Sequence, residues 1–255
     1  MAVDLKAIWR NVLGKWKNYR YRFVPWIATN LKDRNLRLAT SDADKIVSDG
    51  RLVSSLVEVM SKFEMSVEKK DWPEIHLKNL KVMHKVCGFT IRKGASKLPH
   101  GGTGVGVADG EIPEGTLVAL YPGTRYMPWN PILLQSLGNP FIFRSCSRRD
   151  RILPFPSAEE SWLTPHPVNP LSVGQFVNNA TRGDLFSSEW PANVAYQECD
   201  VPMDFPTKLR SLLPYAQYAM EERASGRIVC LVSTRRIREG EELLSSYFTL
   251  IRDAA

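Results

Sequence analysis

The apolar positions near the start of the chain keep a helical period. Leu5, Ile8, Trp9, Val12, Leu13, Trp16 and Tyr19 share one face, while Lys6, Arg10 and Lys17 lie away from it. Pro25 ends the pattern. The same period returns further on, where Leu52, Leu56, Val59, Met60 and Phe63 form a stripe behind Asp49. Asp71 ahead of Trp72-Pro73-Glu74 marks a second helix start, because aspartate caps a first turn and proline fits inside it. Ile75, Leu80 and Met83 continue that face, and Gly88 marks its stop. From there the period shortens to that of strands. GTGVGVADGEIPEGTLVALYPG (102–123) predicts a strand, an Asp-Gly turn and a second strand through Leu117 to Tyr121. The run 227–233 predicts another. Prolines at 128, 131, 140, 154, 156, 165, 167 and 170 make the middle of the chain mostly loop, and Leu209, Leu212 and Leu213 ahead of Pro214 predict a short helix within 205–224. The pattern divides the chain into a helical N-terminal region (1–87), a strand-rich domain (88–250) and a short tail (251–255).

Charge changes the picture of the first region. The chain has 34 Lys and Arg against 27 Asp and Glu, a formal net charge of +7. Lys6, Arg10, Lys15, Lys17, Arg20, Arg22, Lys32, Arg34 and Arg37 face only Asp4 and Asp33 within the first forty residues, so that segment holds the whole excess. Three readings of it stay open: a helix packed on the body, a mitochondrial transit sequence, or a contact with a partner such as nucleic acid or an anionic membrane surface. The two tryptophans on the apolar stripe favour packing.

Other classes are set aside by composition. A hydrophobic fraction of 44% is that of an ordinary globular protein, and no apolar run reaches the ~18 residues of a transmembrane segment. Cys87, Cys146, Cys199 and Cys230 form no CxxC pair, so no zinc site is expected and they read as reduced thiols of an intracellular protein, in nucleus or cytoplasm. His76, His84, His100 and His166 are scattered and read as structural or surface residues.

Candidate chemistry lies in three stretches. GTG (102–104) is followed by YPG (121–123); VGQFVNNA (173–180) runs an apolar pair into two asparagines, with Asn193 beyond; GEELLSSY (240–247) closes the series. An Asn-Asn pair alone marks a turn, and a tyrosine ending a strand is most simply a core residue. In this order and spacing, however, the stretches resemble the signatures of SET-domain lysine methyltransferases. The resemblance implies a fold that is mostly β with α: small curved β-sheets with a C-terminal pseudoknot that brings 176–179 beside 243–247, preceded by a helical N-terminal segment. It also implies S-adenosyl-L-methionine as cofactor and a protein substrate presenting a lysine.

The implied site draws on these residues. Gly102, Thr103 and Gly104 let backbone approach the cofactor's amino-acid end. The amide of Asn178 offers both donor and acceptor to that zwitterion, and the peptide unit of Asn179 serves the base. Tyr247 is the active-site phenol beside the transferring methyl, and Tyr121 lines the lysine channel. Only about four in ten thousand free lysines are neutral at pH 7, but a nearby sulfonium and a dry channel both lower that pKa. The phenols therefore orient the amine rather than deprotonate it. Departures from the family pattern are Asn179 in place of histidine, Ala180-Thr181 in place of Ser-Cys, and Ser245 where an aromatic is usual. They define the alternative, a SET-fold interaction module that has lost turnover. No cysteine-rich tail follows Tyr247, so closure of the channel falls to the N-terminal segment or a partner.

Overall fold

In the computed structural model the described residues are 36–40, 45–66, 68–99, 101–125, 143–144, 152–153, 160–180, 190–217, 226–246 and 248–252. The predicted basic helix over Leu5–Tyr19, Tyr247, His100 and Cys146 lie outside them. Strand β1 (Leu36–Thr40) is followed by two helices, α1 (Asp49–Met60) and α2 (Trp72–Cys87). Both helices were legible in the pattern. Ser48, with extended backbone, precedes α1, so Asp49 is its first residue rather than its cap; Leu52, Leu56, Val59 and Met60 are buried. On α2 the buried face is Trp72, Ile75, Asn79 and Met83, and the helix ends where Gly88 turns left-handed at φ 79°.

The strand region begins with an antiparallel hairpin of β2 (Phe89–Ala95) and β3 (Thr103–Gly110), registered from Phe89↔Gly110 to Ala95↔Thr103. The main sheet contains β4 (Leu117–Tyr121), β8 (Asn178–Asn179), β9 (Val194–Val201), β11 (Gly226–Ser233) and β12 (Leu244–Ser245), in the order β4-β11-β9-β12-β8. The first three pair antiparallel, whereas β12 runs parallel to both β8 and β9. Smaller pairs join β5 (Gly123–Arg125) to β10 (Tyr215–Gln217), β6 (Phe143–Arg144) to β7 (Ile152–Leu153), and β1 to β13 (Phe248–Arg252). The short helix expected before Pro214 is α3 (Thr207–Arg210). The fold is thus mostly β with α, in small sheets with a threaded C-terminal segment. Among the described residues no helix is long and apolar enough to cross a membrane.

One core joins helices and sheets. The buried stripe of α1 and residues Ile75 and Met83 of α2 pack with Leu120, Cys230, Leu231 and Val232. Two buried amides tie the layers. Gln197 of β9 accepts from the backbone N–H groups of Ile46 and Val47 and so anchors the approach to α1. Asn79 of α2 bonds both backbone groups of Glu64 and the carbonyl of Val168, which pins the long loop 160–177 to the helix. Lys93 adds a further pin, donating to the Thr164 carbonyl at 2.7 Å with its ammonium 4.9 Å over the Phe176 ring.

His76 bonds the same loop, its Nδ1 2.8 Å from the Pro167 carbonyl. Burial, with His166 and Lys93 nearby, holds its pKa below the ordinary 6.5 despite that bond. Well above pH 6.5 the imidazole is neutral in both states. As pH falls below 6.5 the unfolded chain takes the proton before the folded one does, so stability declines. Urea unfolding across that range should show the decline, and His76→Gln should make it shallower; an unchanged slope in the variant would remove His76 as its source.

Candidate functional site

The threading of β12 builds the site. Residues 240–243 first lie along β3, where Leu243 N–H donates to the Val105 carbonyl at 2.7 Å and Val107 N–H to the Glu241 carbonyl at 2.9 Å. The chain then slips between β8 and β9, with Leu244 opposite Asn178 and Ser245 opposite both Asn179 and Val194. Asn193 fixes that passage. It is 1% exposed; its Nδ2 donates to the Glu242 carbonyl and its Oδ1 accepts from Leu244 N–H, both at 2.8 Å. Its own N–H donates to the Leu244 carbonyl at 2.8 Å as well. An amide side chain suits this position because it copies a peptide unit and satisfies two backbone groups at once.

Glu242 is the hub. Its side chain, 7% exposed, turns toward the β2–β3 hairpin. Oε1 accepts from Ser96 Oγ at 2.7 Å and from Asn178 Nδ2 at 3.2 Å, while Oε2 accepts from Lys97 N–H at 2.6 Å. Gly104 makes room for it: a Cβ there would lie 2.2 Å from Oε1. The preceding glutamate does a different job, since Glu241 pairs with Arg235 at 2.7 Å, a bond that holds its carboxyl below the usual carboxylate range.

The structure therefore brings Gly102, Thr103, Gly104, Asn178 and Asn179 to one place. Asn178 Nδ2 also donates to the Thr103 carbonyl at 3.1 Å. Gly102 adopts φ 64°, a conformation that suits glycine. Tyr121 lies elsewhere in the sheet. It ends β4, the edge strand opposite β8, and its ring meets Tyr196 edge-on at 5.9 Å. Tyr247 is outside the described residues, between β12 and β13.

Two polar groups here are buried without a partner among the described residues: both ends of the Gln175 amide, and Ser245 Oγ. Such groups are rare in folded proteins and point to an absent partner. A cavity of about 360 Å³ is lined by Glu242 together with Lys97, Trp190, Asn193 and Leu244. Cys87 and Cys230 are poor nucleophiles. Burial pushes Cys87 up to about 11, and Cys230 is raised well above the ordinary range by its bond with Cys199 and by burial.

Sequence reasoning missed Glu242, Gln175, Ser96, Lys97 and Tyr196 as site residues. Glu242 and Gln175 stood inside the quoted GEELLSSY and VGQFVNNA, so their signal was proximity to the motif residues. Tyr196 shares its strand with alternating buried neighbours, and nothing in the sequence set it apart.

A parallel strand threaded between two others, closed against a glycine hairpin, defines a class, and the chain belongs to the SET-domain family. More particularly, it is similar over nearly its whole length to SET domain-containing protein 9. It is 35% identical to the human protein over 303 aligned positions, covering 97% of this chain and 98% of that one. To the Pongo abelii protein it is 38% identical over 205 positions, covering 72% and 73%. No family model matches the chain. Among solved structures, the ATXR5 SET domain in complex with dimethylated histone H3 gives a TM-score of 0.38 at 17% identity, covering 84% of this chain and 94% of that one. The ctPRC2 complex bound to S-adenosylmethionine gives 0.36 at 14% identity, covering 70% and 18%. Family membership rests on the human and Pongo abelii relatives.

Proposed function

We propose that the protein is an S-adenosyl-L-methionine-dependent protein-lysine N-methyltransferase. The observation that carries this reading is the meeting of Asn178, Thr103, Gly104 and Glu242 around the threaded β12. The residues fit the cofactor's amino-acid end. That end is a zwitterion and needs both donors and acceptors, and the Gln175 amide, without a partner among the described residues, supplies both kinds. When bound, S-adenosylmethionine supplies an electrophilic methyl group on a sulfonium. The peptide unit of Asn179 would hold the base, and the backbone at Gly102–Gly104 would flank the amino-acid end.

The chain's remaining work is to align an amine and keep it dry. Tyr121 and Tyr196, both half-buried, offer an aromatic wall of the kind a lysine's alkyl stem favours. Tyr247 would orient the amine and the methyl through its phenol. The substrate class is a protein that presents a lysine. The free thiols of Cys87, Cys199 and Cys230 suit a reducing, intracellular compartment.

The test is methyl transfer to a library of lysine-centred peptides, read by mass. Tyr247→Phe should retain the fold and cut transfer at least about tenfold, the lower end for a lost transition-state contact. Equal transfer would remove Tyr247 from the mechanism. No transfer from wild type that binds the cofactor would favour the interaction-module reading, to which Ser245 and Asn179 already incline the sequence.

A further inference from the structure

The residues assigned to the cofactor come in two halves. Thr103 and Gly104 belong to the β2–β3 hairpin, whereas Gln175 and Asn178 follow the long loop 160–177. Asn178 Nδ2 ties the halves, to the Thr103 carbonyl at 3.1 Å and to Glu242 Oε1 at 3.2 Å. Both bonds lie at the long end of the usual range, so this tie is a weak one. Lys93 supplies a second tie. It stands on β2 opposite Val105, and its ammonium donates to the Thr164 carbonyl at 2.7 Å while lying 4.9 Å over the Phe176 ring. Thr164 is near the start of the loop; Phe176 ends the short 3-10 turn Gly174–Phe176 that leads through Val177 into Asn178. The other end of that turn is seated on the sheet, since a Cβ on Gly174 would lie 2.6 Å from Leu231 Cδ1 and 2.7 Å from the Leu120 carbonyl oxygen. Gln175 sits between the two contacts.

The ammonium is half-buried, and among the described residues no carboxylate pairs with it. The charged or titratable groups that face it are His76 from α2 and, beyond that ring, His166 from the loop. A cation in such a place costs desolvation, which the Thr164 carbonyl and the ring face offset. Burial pushes the Lys93 ammonium below the ordinary 10.5. Packing alone would be served by an apolar side chain of the same length.

We infer that Lys93 is a positioning residue of the cofactor site: its charge ties the turn Gly174–Phe176 to the β2–β3 hairpin and so sets Gln175 and Asn178 opposite Thr103 and Gly104. The binding part of this inference rests on the function proposed above.

The test uses the full chain as Lys93→Met, which keeps the stem and removes the cation, and as Lys93→Arg, which keeps a cation and its donors. With S-adenosylmethionine as probe, calorimetry near neutral pH should show affinity weakened about fivefold by the methionine and held within about twofold by the arginine. As pH rises towards 10.5, Lys93 loses its proton before an ordinary lysine does. Wild-type affinity should therefore fall relative to Lys93→Arg, whose guanidinium stays charged. The ratio cancels the titration of the cofactor's own amino group, and a merely structural role would leave it flat. In a Phe176→Leu background, Lys93→Met should add less than about twofold, because the turn has lost the ring that the cation holds. Hydrogen exchange at Phe176 and Val177, whose N–H groups bond the Val173 and Gly174 carbonyls, should be about fivefold faster in Lys93→Met than in Lys93→Arg.

Unchanged affinity in folded Lys93→Met would overturn the inference. Equal losses in the two Lys93 variants, or a flat ratio across the pH range, would overturn its dependence on charge. The full loss persisting in the Phe176→Leu background would overturn the link through the ring. Should Lys93→Met not fold, the ratio of wild type to Lys93→Arg decides alone. A folded wild type that binds no cofactor would contradict the proposed function, and exchange would then decide the tie by itself: equal rates at Phe176 and Val177 in the two variants would overturn it.

Discussion

Asn193→Leu is expected to destabilise the protein by about 2–6 kcal/mol, since it strands two buried backbone groups at about 1–3 kcal/mol each. The groups are the Glu242 carbonyl and the Leu244 N–H, each 2.8 Å from the Asn193 amide. Leucine matches asparagine in bulk but offers neither donor nor acceptor, and the site is too buried for water to replace them. The effect should be local first. Hydrogen exchange at 243–245 should accelerate more than at β11, because the threaded segment loses its clamp while the β9–β11 ladder keeps its own bonds. Urea unfolding measures the total. A loss below about 1 kcal/mol, the worth of one ordinary hydrogen bond, would show that the threading is held by the β8 and β9 pairings without Asn193.

The second large effect is expected at Gly104. An alanine there would put its Cβ 2.2 Å from Glu242 Oε1 and 2.9 Å from the carboxyl carbon. The carboxylate cannot give way cheaply, because Ser96, Lys97 and Asn178 all bond to it. Overpacking of this kind costs about 1–3 kcal/mol, and shifting the Asn178 amide by the same amount would weaken cofactor affinity on the order of thirtyfold. Gly94→Ala is the control: it lies in the same hairpin, opposite Gly104, and meets nothing within 4 Å. Equal affinity in the two variants would separate the Gly104–Glu242 contact from ligand binding.

How much of this was legible in the sequence depended on range. α1 and α2 were readable because a helix advertises its buried face within a dozen residues, and Gly88 marks the end of α2 by local chemistry; Asp71 stands at the start of α2 without a capping bond, its carboxylate accepting from Ser66 Oγ instead. The run 102–123 was readable as two strands, β3 and β4, but not as a hairpin: Asp109-Gly110 ends β3 within its ladder to β2, and β4 pairs with β11 in another sheet. Glu242 was a different case. Four residues of GEEL cannot say that one carboxylate pairs with a surface arginine while its neighbour turns inward to a glycine far back in the chain. Nor does periodicity reveal a parallel strand pair between Leu36 and Phe248, since neither stretch carries a signal of its partner. Gathering Asn178 with Gly104 needed the family pattern; Gln175 needed the structure, because only burial shows that its amide has no partner among the described residues. Tyr121 was legible as a strand-ending tyrosine, and its pairing with Tyr196 came from the sheet order.

The most direct measurement is calorimetric titration of the folded full-length protein with S-adenosylmethionine, wild type beside Asn178→Ala. Binding in the micromolar range, weakened at least about tenfold when the amide is removed, is the expected result; charge-assisted hydrogen bonds are worth about 1.5–3 kcal/mol. No heat in wild type, in protein whose exchange pattern shows β12 in place, would contradict the cofactor site and leave the SET fold here as an interaction module.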